Sequence, residues 1–364
     1  MLIFGTRPEA IKLAPVVLEM QQCGGGLVPF VCVTGQHRQM LHPVLDWFGI
    51  TPDRDLQLMQ NDQGLADFAG RALLELSSAL QETQPQAVLV QGDTTTAAIA
   101  SMAAFYHRIP VGHVEAGLRT GDLHNPFPEE MNRRITGAIA NFHFAPTDGA
   151  ANALLKEQID PRAVFVVGNT VIDALRLTAA RPVDLDLHLS LKDYRTILVT
   201  AHRRESFGAP FESICSALRE LADRNQGVQL VYPVHLNPHV RGAVMRHLSG
   251  HSRIHLIEPL RYEQFVHLMS KCYLILTDSG GIQEEATALG KPTLIMRSTT
   301  ERPEVISAGT AILVGTDRDR IVSEAERLLG DEDVYREMAN CHHPFGDGYA
   351  AKRIVRVLAD LLAG

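Results

Sequence analysis

Short apolar runs alternate with longer amphipathic stretches along almost the whole chain, and this alternation constrains the fold more than any other feature. It is the pattern of βα units built around parallel sheets. Strands are expected over 27–33, 87–90, 110–114, 142–145 and 164–167, with helices such as 10–22, 65–82 and 95–106 between them. A helix over 171–180 then leads through a polar stretch, 181–195, into a second series of strands at 196–200, 229–232, 254–257, 273–277, 293–296 and 311–314. Two lobes of α/β class follow, each with a parallel sheet. A length of 364 residues agrees, since a domain takes roughly 150 residues. The first run, Leu2-Ile3-Phe4, is short for a buried strand, so either a few native residues precede it or the strand is simply short.

Charge and cysteine content narrow the partners. Lys and Arg number 34 against 42 Asp and Glu, a formal charge of -8, so an anionic ligand must be held by local placement of Arg and backbone N–H groups; a non-specific grip on nucleic acid is disfavoured. The five cysteines form no CxxC pair, which fits reduced cytosolic thiols rather than disulfides or zinc, and the 16 His do not fall at metal-ligand spacings; His342-His343 reads as a loop. No apolar run is long enough to span a bilayer and no charged-then-apolar leader precedes the first strand, so a cytoplasmic enzyme is expected.

In open α/β sheets a ligand lies beyond the carboxyl ends of the strands, and there the informative residues cluster. The first strand runs into Gly5-Thr6-Arg7-Pro8-Glu9, where glycine permits close approach, Pro8 suits a first helical turn, and Arg7 can reach a phosphate, with Lys12 further along the helix. Gln91-Gly92-Asp93-Thr94-Thr95-Thr96 and His113-Val114-Glu115-Ala116-Gly117-Leu118-Arg119 each place one carboxylate just past a buried strand. Read alone, Asp93 serves either as a helix N-cap or as a functional acid. Glu115, between Val114 and Ala116, is expected to be buried and therefore partnered. Asn125-Pro126-Phe127-Pro128-Glu129-Glu130 opens a helix; both glutamates suit its dipole, and at most one needs to be functional. Three carboxylates on one site would resist simultaneous ionisation, so that acid and base coexist near neutrality, as proton transfer at carbon requires.

The second series carries an anion-binding character. Ala201-His202-Arg203-Arg204-Glu205-Ser206 is a cationic cluster at a strand end. In Thr277-Asp278-Ser279-Gly280-Gly281-Ile282-Gln283-Glu284-Glu285, two glycines and a serine open a helix whose free N–H groups suit a diphosphate, and Glu285 lies one turn on, where it could accept ribose hydroxyls. Thr299-Thr300-Glu301-Arg302-Pro303-Glu304 adds another arginine to the same edge. GxGxxG after a strand, GxxxxGK[ST] and HExxH are all missing, which disfavours a Rossmann dinucleotide cofactor, P-loop chemistry and zincin chemistry.

Taken in order, Gly5 to Lys12, Gly92 to Thr96, His113 to Arg119, Pro128-Glu129-Glu130, Gly168-Asn169-Thr170, His202 to Ser206, Pro233-Val234-His235-Leu236-Asn237-Pro238 and Asp278 to Glu285 resemble the bacterial non-hydrolysing UDP-N-acetylglucosamine 2-epimerases over essentially the whole chain. The resemblance implies a GT-B-like fold, two Rossmann-like lobes with an interdomain cleft, and a C-terminal helix over 350–362 that returns to the first lobe; the lobes are then 1–167 plus 350–364 and 168–349. It implies interconversion of UDP-GlcNAc and UDP-ManNAc with no cofactor and no metal, by anti elimination of UDP to a 2-acetamidoglucal and re-addition, in a pathway that supplies ManNAc units for cell-surface polysaccharide. By the same resemblance Asp93, Glu115 and Glu129 are the acid/base carboxylates, and His202 and Arg7 lie near the diphosphate. Ser279, Gly280 and Gly281 hold phosphate, Glu285 the ribose, Phe265 the uracil and Arg302 the leaving UDP, with Lys12 in the same site. Relatives of this kind are dimers with a second, activating UDP-GlcNAc site, matched here by Gln36, Gln39, Gln63 and His235, although Asp62 stands where some of them carry Arg.

Overall fold

The computed structural model describes residues 1–23, 26–35, 38–60, 63–185, 190–191, 193–341 and 344–362, and for Arg38, Gln39 and Arg204 the backbone alone. It divides into two compact units, Met1–Leu177 with Phe345–Gly364, and Thr178–Pro344. The first holds a wholly parallel sheet of β1 (Leu2–Phe4), β2 (Val31–Val33), β3 (Arg54–Asp55), β4 (Val88–Gln91), β5 (Val111–Val114), β6 (Phe142–Ala145) and β7 (Val164–Val166), in the order β3-β2-β1-β4-β5-β6-β7. The second holds β8 (Arg195–Thr200), β9 (Val228–Pro233), β10 (Ile254–Ile257), β11 (Leu274–Thr277), β12 (Thr293–Ile295) and β13 (Ala311–Leu313), in the order β10-β9-β8-β11-β12-β13. Each sheet is doubly wound, so the chain reverses direction across the sheet once, between β1 and β4 in the first unit and between β8 and β11 in the second. A crevice opens at such a point because the loops on either side turn away from each other.

The central strands are buried on both faces, which is why they read as continuous apolar runs rather than alternating ones. Two departures from the strand pattern have local causes. The run 27–33 enters the sheet only from Val31, after Pro29, which has no N–H to give a ladder. The edge strand β3 is two polar residues, Arg54 and Asp55, and carries no apolar signal.

The helix Thr170–Ala179 and the C-terminal helix Ala350–Leu362 belong together in the first unit. Asp173 is the link: its carboxylate accepts from the N–H groups of Ala350 (3.1 Å) and Ala351 (2.9 Å), capping the C-terminal helix from another element. The C-terminal helix also packs on Arg7–Gln22. The contact division therefore falls after Leu177, some way beyond the boundary at 167 drawn from the strand ends. Among the described residues no helix is long and apolar enough to cross a membrane.

Two imidazoles lie inside the first sheet, His113 on β5 and His143 on β6, in register with each other. Burial pulls them down to about 3 and about 4 respectively, so both are neutral in the folded chain at pH values where the unfolded chain protonates them. A folded pKa below the unfolded value of 6.5 means stability that is present above that value and is lost as pH falls toward the folded one. Between pH 6.5 and 5 each imidazole should remove about 2 kcal/mol from the stability of the first unit. Urea denaturation at the two pH values should therefore show His143→Gln losing about 2 kcal/mol less than the unsubstituted chain over this interval; equal losses would contradict a buried neutral His143.

Candidate active site

At the first switch point, the loop after β1 meets the loop after β4. Glu9, fully buried, joins them: Oε2 accepts from the N–H groups of Gly5 (3.0 Å) and Thr6 (2.8 Å), and Oε1 accepts from the Thr94 hydroxyl (2.6 Å). Burial raises its pKa against the lowering effect of those donors. Thr94 also caps the helix Thr95–Tyr106 by accepting from the Ala97 N–H at 3.0 Å. The capping role that the sequence leaves open for Asp93 thus falls to its neighbour. Asp93 is clasped instead by Arg133, whose Nε and Nη2 donate to Oδ2 at 2.9 and 2.7 Å, while Asn132 donates to the Asp93 carbonyl at 2.9 Å.

Glu115 follows β5 with φ 63, a left-handed backbone that a β-carbon disfavours and that is most often tolerated at functional positions. Its carboxylate is buried and meets three donors: Lys12 Nζ and Asn169 Nδ2 (2.9 Å for the latter) on Oε1, and Gln91 Nε2 on Oε2. The expectation of a buried, partnered glutamate is met, and Lys12 is brought to Glu115. Gly117, two residues on, has φ 91, and a β-carbon there would lie 2.2 Å from the Ala150 carbonyl oxygen, so the turn after Glu115 requires glycine.

The two glutamates that open the helix Glu129–Ile139 separate by environment. Glu130 is fully buried; Oε2 accepts from Thr120 N–H (3.1 Å) and Arg133 Nη1 (3.2 Å), and Oε1 faces Arg134 Nε (3.4 Å). Burial pushes its pKa up, but the Thr120 N–H and the Arg133 guanidinium outweigh that and leave it below the usual range. Glu129 is half-buried and its Oε2 has no hydrogen-bond partner. Glu130 is thereby tied up in structure, whereas Glu129 keeps one carboxylate oxygen without a protein partner.

In the second unit the loops after β8 and β11 are likewise stitched by a buried carboxylate. Asp278 Oδ2 accepts from the N–H groups of His202 (2.6 Å) and Arg203 (2.7 Å). Ser279 opens the helix Gly280–Ala288 without a side-chain cap bond, so the first N–H groups of that helix are not taken by their own N-cap. A β-carbon on Gly281 would meet nothing within 4 Å, and one on Gly280 only Arg203 Nη2 at 3.9 Å. Protein packing does not demand these glycines, and their lack of side chains leaves the backbone there open to close approach. Glu285 is buried one turn on, and Phe265 is half-buried on the helix Tyr262–Lys271. Arg302 is buried and oriented by Glu284 through Nε, with Nη1 donating to the Glu301 carbonyl at 3.2 Å.

Among the described residues, three buried donors that follow β8, β11 and β12 lack partners: Arg203 Nε, Gln283 Nε2 within the helix Gly280–Ala288, and Arg297 Nη1. Interior polar groups are nearly always satisfied, so a concentration of orphan donors at the ends of β8, β11 and β12 marks a place for an acceptor-rich ligand. Arg297, which pattern reading passed over, joins the loops after β8 and β12 by donating from Nε to Glu205 at 2.6 Å. Asn169, Gln91, Glu9 and Asp278 stand inside motifs quoted from the sequence but have no role assigned there; their signal is a polar residue at or just beyond the end of an apolar strand, or in the first turn of the helix that follows.

His202 and His235 stack with centroids 5.1 Å apart and planes at 10°. Of the residues matched to a second nucleotide-sugar site, Gln63 accepts from the Gln60 N–H at 3.2 Å and from Arg71. Gln36, Asp62, His342 and His343 lie outside the described residues, as does the side chain of Gln39. Among the described residues no group of three or more His, Cys, Asp or Glu could hold a metal ion.

A family model described as UDP-N-acetylglucosamine 2-epimerase matches residues 25–359. The UDP-N-acetylglucosamine 2-epimerase of Yersinia pestis is 54% identical over 98% of this chain and 97% of its own. A crystal structure of UDP-GlcNAc 2-epimerase from Neisseria meningitidis bound to UDP-GlcNAc is similar with a TM-score of 0.91 and 46% identity, covering 99% of each chain. The S. aureus MnaA-UDP co-structure gives a TM-score of 0.90 at 46% identity, over 100% of this chain and 96% of that one. The GT-B-like α/β class expected from the sequence is the class of these structures. On the strength of a match across nearly its entire length, this chain belongs to the UDP-N-acetylglucosamine 2-epimerase family, a family of isomerases.

Proposed function

We propose that the protein is a non-hydrolysing UDP-N-acetylglucosamine 2-epimerase, interconverting UDP-GlcNAc and UDP-ManNAc in the cytoplasm without a cofactor, and supplying ManNAc units for cell-surface polysaccharide. The observation that carries the reading is Glu115: a buried carboxylate on a left-handed backbone, held by Lys12, Gln91 and Asn169 beside the Gly92-Asp93 turn, in a chain 54% identical to a relative of that name.

In the proposed reaction a carboxylate removes the proton from C2 of the sugar, the C1–oxygen bond to UDP breaks, and a C1–C2 double bond forms. The resulting 2-acetamidoglucal then takes a proton at C2 on the opposite face as a UDP oxygen re-forms the bond to C1. Asp93, Glu115 and Glu129 supply the proton transfers. Arg7, His202, Arg302 and the N-terminus of Gly280–Ala288 stabilise the charge on departing UDP, with Lys12 in the same site, Ser279, Gly280 and Gly281 on phosphate, Glu285 on ribose and Phe265 against uracil. The orphan donors of Arg203, Gln283 and Arg297 support an anion in the second unit, and the unpartnered Glu129 Oε2 supports acid/base work in the first.

Proton NMR of the protein incubated with UDP-GlcNAc in deuterium oxide should show deuterium entering C2 and a manno isomer appearing with the nucleotide still attached. Free sugar and UDP would instead identify a hydrolase, and inertness without an acceptor a glycosyltransferase.

Asp93→Asn and Glu115→Gln should each lower turnover about a hundredfold or more while leaving UDP affinity, by calorimetry, within about twofold. Turnover near that of the unsubstituted protein in both variants would remove the role given to these carboxylates.

We further propose a homodimer with a second UDP-GlcNAc site that activates catalysis, formed with Gln36, Gln39, Gln63 and His235. Starting from pure UDP-ManNAc, the rate should show a lag that trace UDP-GlcNAc abolishes. Hyperbolic kinetics unaltered by the trace would dismiss the second site.

A further inference from the structure

Resting on the assignment of Asp93 as an acid/base carboxylate, we propose that His113 is a positioning residue: the N–H of its Nε2, donated to the Gly92 carbonyl, fixes the turn from which Asp93 is presented.

His113 lies within β5, in register with Val90 of β4, and is buried. Nε2 stands 2.7 Å from the Gly92 carbonyl oxygen. A carbonyl only accepts, so Nε2 carries the hydrogen, and because burial keeps this imidazole neutral the other ring nitrogen is a bare lone pair. Nδ1 is buried without a partner. Packing alone would not favour such a side chain, since an apolar residue such as its neighbours Val111 and Val114 would fill the space with no orphaned nitrogen. What the imidazole provides, and an apolar chain would not, is the single donor aimed at Gly92.

That carbonyl sits at a decisive place. The Gly92 N–H extends the β4–β5 ladder by one step, donating to Val114 O at 2.9 Å, and with φ 69 the chain then leaves the sheet. Beyond the ladder its carbonyl has no strand partner, and His113 supplies one. Asp93 comes next, its own carbonyl held by Asn132 and its carboxylate by Arg133. A β-carbon on Gly92 would lie 3.5 Å from Glu115 Oε2, so the turn abuts the second carboxylate. His113 and Glu115 are two residues apart, so one strand end carries Glu115 and sets the peptide preceding Asp93. The spacing of the two carboxylates is thus referred to β5.

The test compares His113→Phe, which keeps a ring and loses the donor, with His113→Gln, whose amide nitrogen is as many bonds from the backbone as Nε2. His113→Phe should lower kcat about thirtyfold or more with KM and UDP affinity within about twofold, and His113→Gln should recover to within about fivefold of the unsubstituted protein. On an Asp93→Asn background, with residual exchange at C2 followed by NMR, His113→Phe should add less than about a twofold loss, because the group it positions has already gone. Circular dichroism and urea midpoints normalise each rate to folded protein, and His113→Met replaces the phenylalanine variant if that one does not fold. Full kcat in the folded donorless variant, a glutamine variant as slow as the donorless one, or an undiminished further loss on the Asp93→Asn background would each overturn the inference. Asp93→Asn with unimpaired turnover would overturn the underlying reading instead, so the two failures are told apart.

Discussion

The structure of both units turns on a buried carboxylate laid across the switch point of a parallel sheet. Glu9 ties the loop after β1 to the loop after β4 through Gly5, Thr6 and Thr94, and Asp278 ties the loop after β8 to that after β11 through His202 and Arg203. A crevice at such a point is held open by the divergence of its two flanking loops, so something must fix the loops to each other without filling the space. A carboxylate accepting backbone N–H groups does this from below. Because these bonds are buried, removing one partner would leave the other unsatisfied, and the geometry is correspondingly stiff.

The same two carboxylates make the units chemically unequal. In the first, Glu9 takes the N–H groups of Gly5 and Thr6 just ahead of the helix Arg7–Gln22, so two donors leading into that helix are already engaged. In the second, the glycines leave the approach to Gly280–Ala288 open, and Arg203, Gln283 and Arg297, which follow β8, β11 and β12, each keep an orphan donor. The helix dipole and the uncapped N–H groups together favour a diphosphate there. The first unit offers instead carboxylates with contrasting neighbours: Asp93 on Arg133, Glu115 on Lys12 and two amides, Glu129 with an unpartnered oxygen. A chain of net charge -8 can grip an anion only by concentrating its cations in this way.

Most of the elements were legible because central parallel strands, buried on both faces, leave apolar runs; the less buried strands Phe142–Ala145 and Ile254–Ile257 and the helix Thr95–Tyr106 also fall where the pattern places them. What the pattern could not carry was pairing at long range. Lys12 reads as a ligand-binding cation until the fold brings it to Glu115, 103 positions away, and Asn169 is only one member of a short motif until it donates to the same carboxylate across 54 positions. Asp93 could stand open as helix cap because a helix end shifts by a residue or two without changing the apolar pattern, and the cap falls one residue on, at Thr94. Glu129 and Glu130 are identical in type and adjacent; only the positions of Thr120 and Arg133 decide which is structural.

Backbone placement also explains why a flexible side-chain type serves at Glu115. A glutamate on an exposed loop would sample many rotamers, and ordering it in each turnover would cost conformational entropy. Here the left-handed backbone at Glu115 aims the chain, Lys12, Gln91 and Asn169 hold both of its oxygens, and Gly117 is pressed against Ala150 so that the following turn has nowhere to relax. Next to that carboxylate, Gly92 is held through its N–H by Val114 and through its carbonyl by His113. The positive φ at Glu115 and the orphaned nitrogen of His113 are then two local costs carried at the end of β5, and under the proposed roles both hold Asp93 and Glu115 in place before any substrate arrives.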